Sequence, residues 1–220
     1  MKERPILFSG PMVRAILEGR KTQTRRGVKN AMAIEDIERM ATCHPILGDA
    51  KHVGGMQIDR EMVGCSCGGE LTETDIVRLW CRYGVPGDRL CVKETWQYGP
   101  DVTPGMMAGG KMSRRHIVYA ATVADGSHPP TWRPSIHMPR WASRLTLEIT
   151  DVRVERLQEI TLADCAAEGA PPTHPADNVW DSTDTYRTLW ESINGRGSWD
   201  ANPWVWVIEF KKVEAANGDH

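Results

Sequence analysis

Apolar and polar residues alternate with the period of a β-strand in several parts of the chain. In residues 145–154 the apolar positions are 145, 147 and 149, and the pattern then changes parity to 152 and 154. This change predicts a bulge near Thr150-Asp151, because an extra residue in one strand turns the following side chains to the other face. Residues 90–96 and 204–210 show the same alternation, and shorter strands are expected at 5–8 and 116–121.

Helical periodicity is confined to short segments. A helix is expected to begin at Pro11 and to end at Gly19, since proline suits a first helical turn and glycine suits a C-terminus. Thr161 and Asp164 form a capping-box pattern, which predicts a helix that includes Cys165 and Glu168 and ends at Gly169. A longer amphipathic helix is expected at 183–193.

These elements predict an α+β fold within a single domain over residues 1–220. The strands do not alternate with long helices, which argues against a parallel βαβ sheet and favours a mixed or antiparallel sheet curled into a small barrel, with helices packed at its mouth. Residues 27–80 have weak strand signals and frequent glycine, so we interpret them as an insertion or a long loop after the first helix.

Composition narrows the function classes. The chain of 220 residues is 40% hydrophobic, and its formal net charge of −2 excludes a general polyanion binder, so any nucleic-acid affinity must come from a local patch. No run of about 18 apolar residues exists, and the first ten residues do not resemble a secretion signal. We therefore expect a cytoplasmic protein with no membrane partner. The nine tryptophans either fill the core or include rings that stack on a planar ligand.

The cysteines leave one metal hypothesis open. Cys43, Cys65, Cys67 and Cys81, with His44 and His52 nearby, could ligate zinc in a stretch that has few core-forming residues. The C-x-C spacing is not that of a usual zinc knuckle, so we expect reduced, unlinked thiols and no metal or cofactor. The sequence also lacks the glycine-rich dinucleotide loop, the phosphate loop, the zinc-protease motif and the serine nucleophile elbow.

The strongest local signal is the pair Lys21 and Thr24. A threonine hydroxyl becomes a nucleophile when a base removes its proton, and a lysine serves as that base when burial or nearby cations keep it neutral. Arg20, Arg25 and Arg26 supply such cations. The alternative is a solvated basic loop that contacts phosphate groups.

A second candidate segment is Ile136–Trp141. His137 is either a ligand-binding residue or a hydrogen-bonded structural residue. Arg140 and Trp141 offer a cation and a stacking face for a ligand, or anchor the edge of the strand that follows.

Several long phrases identify a resemblance to a known family. The segment that begins Gly19-Arg20-Lys21-Thr22-Gln23-Thr24-Arg25 resembles the G-x-K-x-x-T/E-x-R signature of ASCH domains, which are relatives of the PUA domain. Four longer phrases are similar to the phage and prophage branch of that family, and together they cover about half of the chain: residues 4–26, 87–96, 134–144 and 202–210.

The resemblance implies a PUA-like β-barrel with a cleft beside the signature loop, and RNA or a nucleoside-like molecule as ligand. One branch of the family is an amidohydrolase that deacetylates N4-acetylcytidine with a lysine, a threonine three residues later and a glutamate in a later helix. Lys21 and Thr24 match the first two, and Glu168 aligns with the third. In this hypothesis Lys21 activates Thr24 for attack on the amide, and Glu168 protonates the departing nitrogen.

Two further functions stay open at this stage. A non-catalytic nucleic-acid-binding module would use the same cleft, with Arg20, Arg25, Arg26 and Arg140 at its rim and a tryptophan for stacking. A ribonuclease is the lowest-ranked alternative, since no paired histidines or metal-binding carboxylates stand out. The oligomeric state and the physiological substrate do not follow from the sequence.

Overall fold

The computed structural model describes residues 1–29, 77, 80–107, 112–123, 131–169 and 182–213. Its main element is a five-stranded sheet in the order β1-β3-β6-β7-β2. Strands β1 and β3 are parallel, and the other pairs are antiparallel. The strands of this sheet are β1 (Glu3–Leu7), β2 (Gln23–Gly27), β3 (Arg89–Lys93), β6 (Thr146–Arg156) and β7 (Trp204–Val213), and a separate two-stranded sheet holds β4 (Trp96–Tyr98) and β5 (Ile117–Tyr119).

Short helices connect the strands. The described α-helices are α1 (Gly10–Leu17), α2 (Pro104–Met107), α3 (Leu162–Ala167) and α4 (Ser182–Asn194), and 3-10 turns cover Arg114–His116, Ser135–His137, Arg140–Ala142 and Leu157–Glu159. The predicted helices after Ser9, after Thr161 and near 183–193 are therefore confirmed. The capping box is also confirmed, because the Thr161 hydroxyl accepts from the Asp164 N–H group and the Asp164 carboxylate accepts from the Thr161 N–H group.

The predicted bulge is present in β6. Its register against β7 shifts between Ile149 and Asp151, so Thr150 is the extra residue. The two faces of β7 serve different cores, as its alternation predicts. Trp206, Ile208 and Phe210 belong to the larger apolar cluster, which also contains Ile16 and Leu147. On the opposite face, Val205 and Val207 pack with residues of α3 and α4, namely Cys165, Tyr186 and Trp190.

The expected α+β class with a mostly antiparallel sheet is confirmed, but the described residues form no closed barrel. Strands β1 and β2 are the two edges of the sheet, and no ladder joins them within the described ranges. The edges do approach each other, since the Arg26 guanidinium group donates to the Leu7 carbonyl oxygen at 2.7 Å. The sheet is therefore curled.

Two predicted elements differ from the structure. The basic segment expected to be a loop is an edge strand over Gln23–Gly27. Its alternation is hidden in the sequence, because Gln23, Thr24 and Arg25 are all buried. The strand expected over 90–96 ends at Lys93, and Trp96 begins a strand of the smaller sheet.

Most of the expected insertion at 27–80 lies outside the described residues, and so do Cys43, Cys65 and Cys67 with His44 and His52. Cys81 is described, and it is a buried free thiol whose pKa is raised by burial. Across the described ranges, no helix has the length and apolar character needed to cross a membrane.

Candidate active site

Lys21 lies in the short turn between α1 and β2. Gly19 takes a left-handed conformation (φ 75°) that ends the helix, and the backbone N–H groups of Arg20 and Lys21 then both donate to the Ala15 carbonyl oxygen. This turn directs the lysine side chain inward, where none of it is exposed. Its Nζ donates to the carbonyl oxygens of Gln23 and Glu168 at 2.8 Å and to the Glu168 carboxylate at 2.5 Å.

Glu168 stands at the C-terminal end of α3, where its backbone N–H group donates to the Asp164 carbonyl oxygen. The next residue, Gly169, has φ 78°, and a Cβ atom there would lie 2.9 Å from the Ala15 side chain and 3.0 Å from that of Lys21. A glycine is therefore required for α3 to end this close to Lys21. The Glu168 carboxylate is 3% exposed, and its Oε1 accepts from the Arg25 backbone N–H group at 2.5 Å.

The Lys21–Glu168 pair also forms hydrogen bonds with backbone groups on the outer edge of β2. Gln23 O and Arg25 N point away from β7, and the pair supplies their hydrogen-bond partners. Without such partners, buried backbone groups at an edge strand would cost about 1–3 kcal/mol each. The two side chains thus connect α3 to β2 in addition to any chemical role.

The surroundings of Lys21 act on its pKa in opposite directions. Burial lowers its pKa below the ordinary value of 10.5, the charge of Glu168 opposes that shift, and Arg26 and Arg25 add to it. With three oxygen acceptors around Nζ, the ammonium form is fully hydrogen-bonded in this arrangement.

Thr24 lies in a shallow pocket between β2, α1 and α4, and it is 2% exposed. Met12, Leu189 and Ile193 give the pocket an apolar wall. The full lining is Met12, Thr24, Arg25, Arg26, Glu168, Tyr186, Leu189, Trp190, Ile193 and Asn194. Within the described ranges no hydrogen bond joins the Thr24 hydroxyl to Lys21, although the two residues are close in the sequence.

A buried group of charges adjoins the pair. The Arg25 Nη2 atom lies 2.9 Å from a Glu155 carboxylate oxygen and 3.1 Å from an Asp164 oxygen. Arg153 contacts the same two carboxylates from the other side. Asp164 was predicted only as a capping residue, and Glu155 was not predicted as a site residue. Glu155 is the penultimate residue of β6, at a polar position of its alternation, so the local pattern gives no signal for its burial.

The remaining predicted binding residues do not all gather at the pocket. Arg20 is exposed and donates to Glu18, and Arg26 lines the pocket and lies over the Phe8 ring. Arg25 is buried and does not form a rim.

The Ile136–Trp141 segment lies apart from that lining. Arg140 is ion-paired with Glu3 of β1, and exposed His137 and Trp141 occupy two 3-10 turns. None of the three is among the residues that line the pocket.

The described part of the chain holds no group of three or more histidine, cysteine or carboxylate side chains arranged for a metal ion.

The comparisons with known proteins add no assignment. The chain matches no protein-family model, and it has no significant match among curated proteins or solved structures.

Proposed function

We propose that this protein is an ASCH-type amidohydrolase of the PUA-like superfamily, which removes the acyl group from N4-acetylcytidine or a related acylated nucleoside. The observation that carries the proposal is the buried contact between Lys21 and Glu168, 2.5 Å from Nζ to Oε2, beside a pocket that Thr24 and Glu168 both line. The signature phrase and the later glutamate, far apart in the sequence, meet at this contact.

A single proton shift within the pair creates both groups that the reaction needs. When the proton moves from Lys21 Nζ to Glu168 Oε2, the lysine becomes a neutral base and the glutamate becomes an acid. Burial favours this shift, since it replaces two buried charges by two neutral groups and since desolvation already lowers the pKa of Lys21.

The proposed reaction then has two steps, which are acyl transfer to Thr24 and hydrolysis of the resulting ester. Lys21 accepts the Thr24 proton, the Thr24 oxygen bonds to the acyl carbon, and the carbon–nitrogen bond breaks as Glu168 gives its proton to the amine. This step returns the ammonium–carboxylate pair and leaves an acyl ester on Thr24. Water then attacks the ester, Glu168 accepts a proton from it, and Lys21 returns a proton to the threonine oxygen as the carboxylic acid departs.

Lys21 has to turn from its present acceptors toward Thr24 for the first step. Catalytic hydrogen bonds are often long or unformed without substrate and tighten only in the complex. A substrate carbonyl group bound beside Thr24 would complete the arrangement.

The test is the release of cytidine from N4-acetylcytidine, followed by ultraviolet absorbance with the full-length protein. Lys21→Ala and Glu168→Gln are expected to lower kcat at least 100-fold, because each removes one proton carrier. Circular dichroism checks that both variants fold, since the pair also connects α3 to β2. Turnover by either folded variant at the wild-type rate would contradict the assigned roles.

A non-catalytic nucleic-acid-binding module is the second candidate. It is favoured by one observation: Lys21 already has three acceptors and makes no hydrogen bond to Thr24, as expected for a purely structural pair. This function predicts no turnover and an RNA affinity that falls steeply with salt concentration. A titration with a single-stranded RNA at two salt concentrations tests it, and salt-independent or undetectable binding would exclude it.

A further inference from the structure

Arg25 occupies a position that the catalytic hypothesis does not use. Its side chain is fully buried, its backbone N–H group donates to Glu168 Oε1, and its Nη1 atom lies 4.0 Å from the same oxygen. A buried cation this close stabilises the ionised form of a carboxylate. It also opposes the positive charge of Lys21.

The charge of Arg25 is itself balanced from the far side. Glu155 and Asp164 both contact its Nη2 atom, and both also contact Arg153, which reaches Glu209 nearer the surface. The cations Lys21, Arg25 and Arg153 face the carboxylates Glu155, Asp164 and Glu168, and Arg153 also pairs with the more exposed Asp151 and Glu209. Removal of Glu155 or Asp164 would leave the surroundings of Arg25 more positive.

We propose that Arg25 is a positioning residue for the Lys21–Glu168 pair, and that Glu155 and Asp164 set how strongly its charge acts on that pair. The inference rests on the proposed function, to which it adds the residues that tune the pH range of the site. Tyr186 from α4 interacts electrostatically with Glu168, and Arg26 from β2 acts on Lys21 and on Tyr186. Among the described ion pairs, Arg25 is the residue that contacts Glu155, Asp164 and Glu168 together.

The test replaces one carboxylate by its amide. Glu155→Gln removes the negative charge, keeps the shape, and leaves Arg25 more positive toward the pair. The expected result is a downward shift of roughly 0.5–1 pH unit in the titration of Lys21 and in the limb of the pH–rate profile that reports it. Glu209→Gln is the matched control, because Glu209 contacts Arg153 and not Arg25.

Two readouts separate this inference from the proposed function. Lysine labelled with carbon-13 at Cε reports the titration of Lys21 by NMR without substrate, and the loss of one signal in Lys21→Met assigns it. The pH–rate profile with N4-acetylcytidine reports the same pair during turnover. Absence of wild-type turnover would overturn the proposed function alone.

The inference itself is overturned if Lys21 titrates at the wild-type pH in folded Glu155→Gln, or if Glu209→Gln shifts it equally. Asp164→Asn is the second variant, to be used if Glu155→Gln does not fold, and the same downward shift is expected. Arg25→Lys keeps the charge and the backbone donor, so it should stay within the wild-type pH range while lowering kcat. A purely structural role for Arg25 would lower stability in these variants without moving either titration.

Discussion

At the scale of single residues, Lys21 is a charged side chain that folding encloses completely. It is fully enclosed, and its Nζ atom donates to three oxygen acceptors, of which one belongs to the Glu168 carboxylate. Burial lowers the pKa of Lys21, and the opposing charge of Glu168 limits that shift. The lowered pKa brings Lys21 nearer to the neutral form that a general base requires.

This balance predicts a pH-dependent contribution to stability. The pKa of Lys21 is lower in the folded protein than its unfolded value of 10.5, so the unfolded chain binds more protons between those two values. The contribution of Lys21 to the free energy of unfolding therefore rises as pH increases through that window, and it is least favourable below the folded pKa.

Urea unfolding of wild type and Lys21→Met at several alkaline pH values measures this contribution. The stability of wild type relative to Lys21→Met is expected to increase with pH. Lys29→Met, at an exposed position, is the control for loss of one positive charge. A difference that stays constant, or that changes equally in the control, would contradict the linkage.

At the scale of elements, the approach of α3 to the edge of β2 creates the site. The Ala167 carbonyl oxygen accepts from the Thr22 N–H group, and Glu168 then continues the contact along the strand. Gly169 permits this approach because its missing side chain leaves room for Ala15 and Lys21.

Gly169→Ala is expected to destabilise the protein by about 3 kcal/mol, the sum of left-handed strain and a clash with Lys21. Gly195→Ala is the matched control: its φ is also positive, at 97°, but a Cβ there meets nothing within 4 Å. The control should cost only about 1 kcal/mol. Thermal and urea unfolding measure both values. An equal loss of stability in the two variants would show that a Cβ atom at position 169 does not clash with Ala15 or Lys21.

The elements that the sequence predicted best are those with a clear local signal. Strands β6 and β7 alternate apolar and polar residues, with one change of parity at the bulge in β6, and α3 begins at a capping box. Strand β2 was not predicted, because its buried residues are polar and give no apolar alternation. Their burial depends on Glu155 and Glu168, which are more than 100 positions away in the chain.

At the scale of the whole molecule, a curled sheet separates two cores and leaves the pocket at one of its edges. The packing of α1, β2 and α3 brings Lys21 and Glu168 into contact, and Thr24 lines the adjacent pocket. Arg140, Trp141 and His137 are not in the pocket lining, because Met138 and Ala142 bury the same segment in the apolar cluster of the smaller sheet, and Arg140 pairs with Glu3 of β1. Sequence phrases locate such segments in the chain but do not give the face on which they pack.

The most direct test of the central claim compares two threonines that are separated by one residue. Thr24 is buried in the pocket, whereas Thr22 is exposed just before β2 begins. Cytidine release from N4-acetylcytidine is measured for wild type, Thr24→Val and Thr22→Val under identical conditions. The proposed mechanism predicts that Thr24→Val loses turnover and that Thr22→Val retains most of it. Equal rates in wild type and folded Thr24→Val, or no turnover by the wild type, would contradict the proposal that Thr24 is the nucleophile of an amidohydrolase.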